Sequence, residues 1–164
     1  MQIPIQSRFF VTQQVMPGLT NGLINGGIAW GLHRGDTSLG LWSQGGYASD
    51  LLATGFFLPA ITWLILQPLL RRQARAGKAP VLAGLPTPWL ARWMMPSLWA
   101  GGLTAGLLGM GLLGGGAVLA MQGLGAPEFS GNGYAVFKGA YGALVAVILQ
   151  PAMVFAILSD RSPA

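Results

Sequence analysis

Two pairs of amide side chains lie inside apolar segments of this 164-residue chain, where other polar groups are few. Asn21 and Asn25 are four residues apart, so a helix would place both on one face. Gln67 and Gln150 each directly precede a proline. An unpaired amide in hydrocarbon costs several kcal/mol, so each of the four needs a partner. They are candidates for lining a polar pocket or pore, and the alternative is that they only join helices.

Two charged residues, Asp50 and Lys138, are expected at membrane depth, near the outer ends of their apolar segments. Charges at this depth are functional candidates by default. Here Lys138 can instead extend toward the headgroups, and Asp50 can occupy the first turn of a helix, where the helix dipole favours it. The two side chains can also pair. His33 is the only histidine, so bis-histidine haem ligation within one chain is excluded, and we interpret it as a polar helix-end residue.

The composition indicates a membrane protein. Only 8% of the residues are charged, whereas soluble domains carry about 25%. The chain has no cysteine, which excludes thiolate catalysis and cysteine-based metal sites. The sequence contains no phosphate-binding loop, catalytic triad or metal-ligand cluster. We therefore expect a non-catalytic protein without a cofactor. The net charge of +5 is explained by anchoring beside anionic lipid, so nucleic acid is not an expected partner.

Four apolar segments approach the roughly 20 residues that a helix needs to cross a bilayer. They cover residues 15–32, 50–70, 98–121 and 135–158. Residues 7–14 either extend the first segment or form a separate interfacial helix. The expected fold class is an all-α integral membrane protein with four transmembrane helices.

The chain contains an internal repeat. Ile65-Leu66-Gln67-Pro68 and Ile148-Leu149-Gln150-Pro151 end two long apolar segments. This similarity predicts one membrane domain built from two hairpins that both begin on the same side, related by a pseudo-two-fold axis along the membrane normal. The first repeat covers about 8–72, a cytoplasmic linker covers 73–96, and the second repeat covers about 97–161.

A glycine-spaced segment opens each repeat, as in a glycine zipper. Gly18, Gly22 and Gly26 recur every four residues in the first segment, and the third segment contains Gly102, Gly106 and Gly109. Such strips let two helix backbones approach closely. We expect the first and third helices to pack together at the pseudo-two-fold axis, and the alternative is that the strips join copies of the chain.

The distribution of cations predicts the orientation. The linker side of the second and third segments carries Arg71, Arg72, Arg75, Lys78 and Arg92. The first loop contains only Arg34, beside Asp36, and the third loop contains Glu128 and no cation. Arg8 and Arg161 flank the two ends. Short cytoplasmic loops are enriched in Lys and Arg, so both termini and the linker are expected in the cytoplasm of a multi-pass inner-membrane protein.

Two tryptophans mark the end of the linker. Trp89 and Trp93 are four residues apart, which places them on one face of a short helix. Tryptophan favours the headgroup level of a bilayer. An interfacial helix on the inner leaflet is the main interpretation, and a helix that docks a partner is the alternative.

Several of these segments resemble a known group of proteins. The resemblance lies in residues 21–26, 28–30, 51–54 and 68–72, which read NGLING, IAW, LLAT and PLLRR. The chain is similar here to small uncharacterised four-helix inner-membrane proteins of bacteria, some of them labelled permeases. The resemblance implies a four-helix membrane protein and carries no functional residue over.

Three functions are consistent with the sequence. The first is an accessory or structural subunit that packs, through its glycine faces, with copies of itself or with a larger membrane complex. The second is a channel or carrier for a small solute or ion, lined by the four amides. The third is the binding of a lipid, quinone or pigment. The lipid bilayer is a partner in all three.

Overall fold

The protein is all-helical in its computed structural model, which describes residues 5–79, 82 and 87–159, and side chains from residue 15 onward. The helices are α1 (Ile5–His33), α2 (Tyr47–Arg75), α3 (Leu98–Gly109), α4 (Gly115–Gly123) and α5 (Gly131–Ser159). A 3₁₀ helix covers Trp89–Trp93, and a π turn at Met110–Gly114 joins α3 to α4. The predicted end of the second repeat at residue 161, with Arg161, lies outside the described residues.

Three stretches are long and apolar enough to cross a membrane: Tyr47–Arg75, Leu98–Gly123 and Gly131–Ser159. They correspond to the second, third and fourth predicted segments. Among the described residues, α1 does not reach the same hydropathy, because Asn21, Asn25 and several glycines dilute its apolar side chains.

The structure decides two points that the sequence left open. Residues 7–14 continue α1 without a break, since the helix starts at Ile5 and includes Pro17. The short helix predicted around Trp89 and Trp93 is a five-residue 3₁₀ helix, preceded by Pro88 in an extended conformation. Short segments commonly adopt this tighter helix.

The helix pairing contradicts the expectation that the first and third helices pack together. Most of α5 is buried, and it lies between α1 and α2. The most extensive helix–helix interfaces are those of α1 with α5, of α2 with α5, and of α2 with α3. The expectation was wrong because a glycine strip permits close approach to any smooth helix face, and here each strip meets a helix with a small residue opposite.

The loop between α1 and α2 is joined to the loop before α5 at one end of the bundle. Leu39 and Phe129 exchange backbone hydrogen bonds of 2.8 and 3.1 Å. Tyr47 donates a hydrogen bond of 2.7 Å to the carbonyl oxygen of Pro127, and its ring packs edge-on against Phe129. These contacts hold the start of α2 beside the start of α5, where Asp50 and Lys138 lie.

Candidate functional site: a groove between α1 and α2

The glycines of α1 lie against the backbone of α5. A methyl group added at Gly22 would lie 3.1 Å from the carbonyl oxygen of Gly139, and one at Gly26 would lie 3.1 Å from that of Ala135. At Gly18 it would lie 2.9 Å from the side chain of Val147. The strip is therefore occupied within the chain by α5.

The glycines of α3 lie against α2 in the same manner. A methyl group at Gly102 would lie 3.5 Å from the carbonyl oxygen of Ala60, and one at Gly106 would lie 3.0 Å from that of Phe56. At Gly109 it would overlap the carbonyl oxygen of Gly55. This strip is also used inside the chain.

The two asparagines of α1 bond to their own helix. Asn21 donates a 2.9 Å hydrogen bond to the carbonyl oxygen of Pro17, and Asn25 donates one of the same length to that of Asn21. Asn25 also packs closely on Gly142, where an added methyl group would lie 2.9 Å from it. Each amide has one local partner and is only half-buried.

A groove separates α1 from α2, because both pack on α5 rather than along each other. We call it the α1–α2 groove. Its main part has a volume of about 610 Å³ and is walled by apolar side chains, including Ile24 of α1 and Ile61 and Ile65 of α2. Asn21, Asn25, Thr62 and Gln150 are its polar residues. Pockets of this size and composition are typical of small-molecule sites.

Gln150 lies in the α1–α2 groove and has an unsatisfied hydrogen-bonding group. Its side chain is only 4% exposed, and its Oε1 atom has no hydrogen-bond partner. A buried carbonyl without a donor costs about 1–3 kcal/mol. The terminal torsion of glutamine is broad and roughly two-fold, so a flip of the amide can exchange which end faces the groove.

The groove continues toward the end of the bundle where the loop between α1 and α2 lies. A second cavity of about 220 Å³ shares Asn25, Ile28 and Phe57 with the first, so the two form one continuous depression. Its far end is lined by Asp50 and Lys138.

Asp50 and Lys138 form an ion pair at this end of the bundle. Lys138 Nζ lies 2.5 Å from Asp50 Oδ2 and donates a 3.0 Å hydrogen bond to the carbonyl oxygen of Asp50. The Tyr134 hydroxyl donates to the same carboxylate. Lys138 is only 3% exposed, so its side chain is covered by the protein. The Asp50 carboxylate is partly exposed and gives this end of the groove a charged lining.

Gln67 lies elsewhere. Its Nε2 donates to the carbonyl oxygen of Pro96 at the start of α3, and it lines a different cavity at the end of α2. The structure therefore brings Asn21, Asn25 and Gln150 together and leaves Gln67 apart. The four amides do not line a single pore within one chain.

The linker tryptophans point outward. Trp89 is 60% exposed and Trp93 is 66% exposed, whereas Leu90, Ala91 and Met94 are buried against the bundle. His33 Nδ1 lies 2.8 Å from Asp36 Oδ2, and the His33 ring packs edge-to-face against the ring of Tyr134. Among the residues that the structure describes, no three His, Asp or Glu side chains are placed to hold a metal ion.

Tyr134 and Tyr141 were missed by sequence reasoning. Tyr134 donates to Asp50, and Tyr141 donates a 3.1 Å hydrogen bond to the carbonyl oxygen of Leu51. With Lys138 they follow a spacing of four and three residues, which places all three on one face of α5. That spacing was the available signal. No sequence pattern indicated that α1 and α2 would stand apart.

Comparison with known proteins gives no match: no family model matches the sequence, and no curated protein or solved structure matches it.

Proposed function

We propose that this protein is a non-catalytic, four-span protein of the bacterial inner membrane with both termini in the cytoplasm. Three helices have the length and composition to cross a bilayer, and α1 is equally long and packs along α5. Arg72 and Arg75 lie in the last turn of α2 and Lys78 follows it, whereas Asp36 and Glu128 lie in the loops at the opposite end. This asymmetry is the one that the positive-inside rule associates with a cytoplasmic linker.

We also infer that the chain is a duplicated hairpin whose halves are interlocked. The Gln67 and Gln150 repeats align Ala60 with Ala143 and Leu64 with Val147. A methyl group added at Gly102 would contact Ala60 and Leu64 of α2. One added at Gly18 would contact the equivalent residues of α5, Ala143 and Val147. The first helix of each repeat thus packs on the second helix of the other repeat, and α2 and α5 lie at the pseudo-two-fold axis.

The function that the geometry supports best is the binding of an apolar, membrane-dissolved molecule in the α1–α2 groove. A lipid with a hydroxyl or amine group, a quinone in its quinol form and a pigment with a hydroxyl group share the required chemistry, namely an apolar body and a group that donates a hydrogen bond. The observation that carries the proposal is Gln150, a buried amide with an unpartnered carbonyl in a groove walled mainly by apolar side chains. Such a group gains a bond when a ligand supplies a donor, and the ligand would be oriented by it.

Purification in mild detergent tests this proposal. Organic extracts of the wild type, Gln150→Leu and Gln122→Leu would be compared by mass spectrometry and visible absorbance. Gln122 is an exposed glutamine near the end of α4, so its replacement makes the same chemical change outside the groove. We expect a co-purifying lipophilic molecule that falls at least fivefold in Gln150→Leu and is unchanged in Gln122→Leu. Equal amounts in all three proteins would contradict the proposal.

An accessory role in a larger complex is the second candidate. The observation that favours it is the 3₁₀ helix, which is fixed to the bundle by Leu90 and Met94 and presents Trp89 and Trp93 outward. Tryptophans are common anchors at protein interfaces. In this case Trp89→Ala/Trp93→Ala should release a partner that co-purifies with the wild type, without lowering the thermal stability of the chain. A homogeneous particle containing only this chain would remove the idea.

A further inference from the structure

The cytoplasmic end of α2 forms a second, separate pocket. Its volume is about 310 Å³, and it is lined by one glutamine, one proline, three arginines and one leucine. The residues are Gln67, Pro68, Arg71, Arg72, Arg75 and Leu98. It does not share a lining residue with the α1–α2 groove.

Helical spacing brings the arginines to one pocket. Gln67, Arg71 and Arg75 are four residues apart on one face of α2, and Arg72 lies one turn beyond Pro68 on the adjoining face. Arg72 and Arg75 are exposed, so their guanidinium groups can meet a ligand without moving a packed side chain. Pro68 and Leu98 give the pocket an apolar wall.

The pocket is held by a fixed contact between α2 and the start of α3. Gln67 Nε2 and Arg71 Nη2 both donate to the carbonyl oxygen of Pro96, the latter at 2.7 Å. Ser97 then caps α3 by accepting a 3.1 Å hydrogen bond from the backbone of Ala100, which places Leu98 in the first turn. Arg71 and the apolar wall at Leu98 are therefore positioned before any ligand binds.

Arg72 and Arg75 have no carboxylate partner among the residues that the structure describes. Asp50 lies in the first turn of α2, and Arg72 lies in the last, so about 30 Å of helix separates them. Asp36 pairs with His33, and Glu128 accepts a hydrogen bond from Ser38, both in the loops at the Asp50 end. Arg72 and Arg75 thus face outward with no described carboxylate near them.

We propose that this pocket binds the phosphate of an anionic phospholipid of the inner leaflet. Guanidinium groups match phosphate oxygens in a bidentate fork, which favours Arg72 and Arg75 as the anion contacts. Basic pockets at the cytoplasmic ends of membrane helices attract anionic headgroups. Pro68 and Leu98 provide an apolar surface for the adjoining acyl chain, which a free phosphate ion would not use. Because it rests on different residues, this site is independent of the ligand proposed for the α1–α2 groove.

Native mass spectrometry of the full chain in detergent tests the site. The chain would be titrated with phosphatidylglycerol, with phosphatidylcholine, and with phosphatidylglycerol in the presence of glycerol phosphate. The variant is Arg72→Gln/Arg75→Gln, and the control is Lys78→Gln/Arg92→Gln, which removes two exposed cations of the same linker that do not line the pocket.

We expect one tightly bound phosphatidylglycerol per wild-type chain, bound at least fivefold more weakly by Arg72→Gln/Arg75→Gln and within twofold of wild type by the control. Phosphatidylcholine should bind at least fivefold more weakly than phosphatidylglycerol. Equal losses in both double variants would show a bulk charge effect and overturn the site. Displacement of the lipid by millimolar glycerol phosphate would show a free-anion site and would also overturn it.

Discussion

At the scale of single residues, Gln150 and Lys138 differ in how their polarity is satisfied. Lys138 is buried but has the Asp50 carboxylate and carbonyl as partners, whereas the carbonyl of Gln150 has none. A polar group left unsatisfied in a folded protein calls for an explanation, and a ligand is one. The sequence indicated both residues, but only the structure separates the paired one from the unpaired one.

Replacing Gln150 by leucine should stabilise the ligand-free protein. The substitution removes a buried carbonyl that makes no hydrogen bond and keeps an apolar side chain of similar size. We expect the free energy of unfolding of the delipidated protein to rise by about 1–3 kcal/mol, measured by thermal unfolding in detergent. The control Gln122→Leu should change it by less than about 0.5 kcal/mol, as is usual for surface substitutions. A clear loss of stability in Gln150→Leu would mean that the amide has a partner in the fold.

The ion pair should be asymmetric toward mutation. Asp50→Asn leaves the Lys138 charge buried without its counter-ion, which costs about 3 kcal/mol or more. Lys138→Met leaves a carboxylate that is 42% exposed and still bonded to Tyr134, so the loss should be smaller. In a double-mutant cycle, Asp50→Asn/Lys138→Met should be more stable than Asp50→Asn alone. Additive losses would show that the two side chains act independently.

At the scale of the helices, the sequence predicted where they lie far better than how they pair. The apolar lengths located α2, α3–α4 and α5 to within a few residues, because hydropathy depends on local composition. The partner of each glycine strip could not be predicted, since Gly22 and Gly106 would suit any smooth opposing face. The observed pairing of α1 with α5 depends on small residues of α5 such as Gly139. Their role in packing is visible only once the helices are assembled.

Two glycines near the π turn should respond differently to alanine. A methyl group at Gly109 would overlap the carbonyl oxygen of Gly55. One at Gly111 would point into open space, because no atom outside its own stretch of helix lies within 4 Å. We expect Gly109→Ala to lower the free energy of unfolding by about 1–3 kcal/mol through overpacking. Gly111→Ala should be neutral, or stabilising by up to about 1 kcal/mol through helix propensity. Similar losses in both would contradict the close α2–α3 contact.

The larger replacements Gly22→Leu and Gly106→Leu should also act within the chain. Both glycines face a backbone carbonyl of a neighbouring helix, so leucine cannot fit without separating the helices. We expect loss of folded protein in detergent. A folded chain that only fails to assemble would instead support the interpretation of the strips as surfaces between copies.

At the scale of the whole molecule, the proposed topology predicts which residues are accessible from each side. The natural chain has no cysteine, so single cysteines can be placed without background. Ser7→Cys and Lys78→Cys should react with an impermeant maleimide only after permeabilisation, and Thr37→Cys should react in intact cells. Labelling of Ser7→Cys in intact cells would show that α1 does not cross the membrane and would leave the three apolar helices as the spans.

The arrangement of the whole chain also explains why the α1–α2 groove could not be predicted from the sequence. Hydropathy and spacing describe one helix at a time, whereas the α1–α2 groove exists because both helices pack on α5. Asn25 and Gln150 are in different halves of the sequence and meet only through that arrangement. The groove is consequently the part of the account that depends most on three-dimensional structure.

The most direct test of the account is an experimental structure of the protein crystallised from a lipidic mesophase. We predict elongated non-protein density between α1 and α2, with a polar group within hydrogen-bonding distance of the Gln150 amide. Direct packing of α1 on α2 that closes the groove would contradict the account, as would a helix from a second copy of the chain lying in the groove.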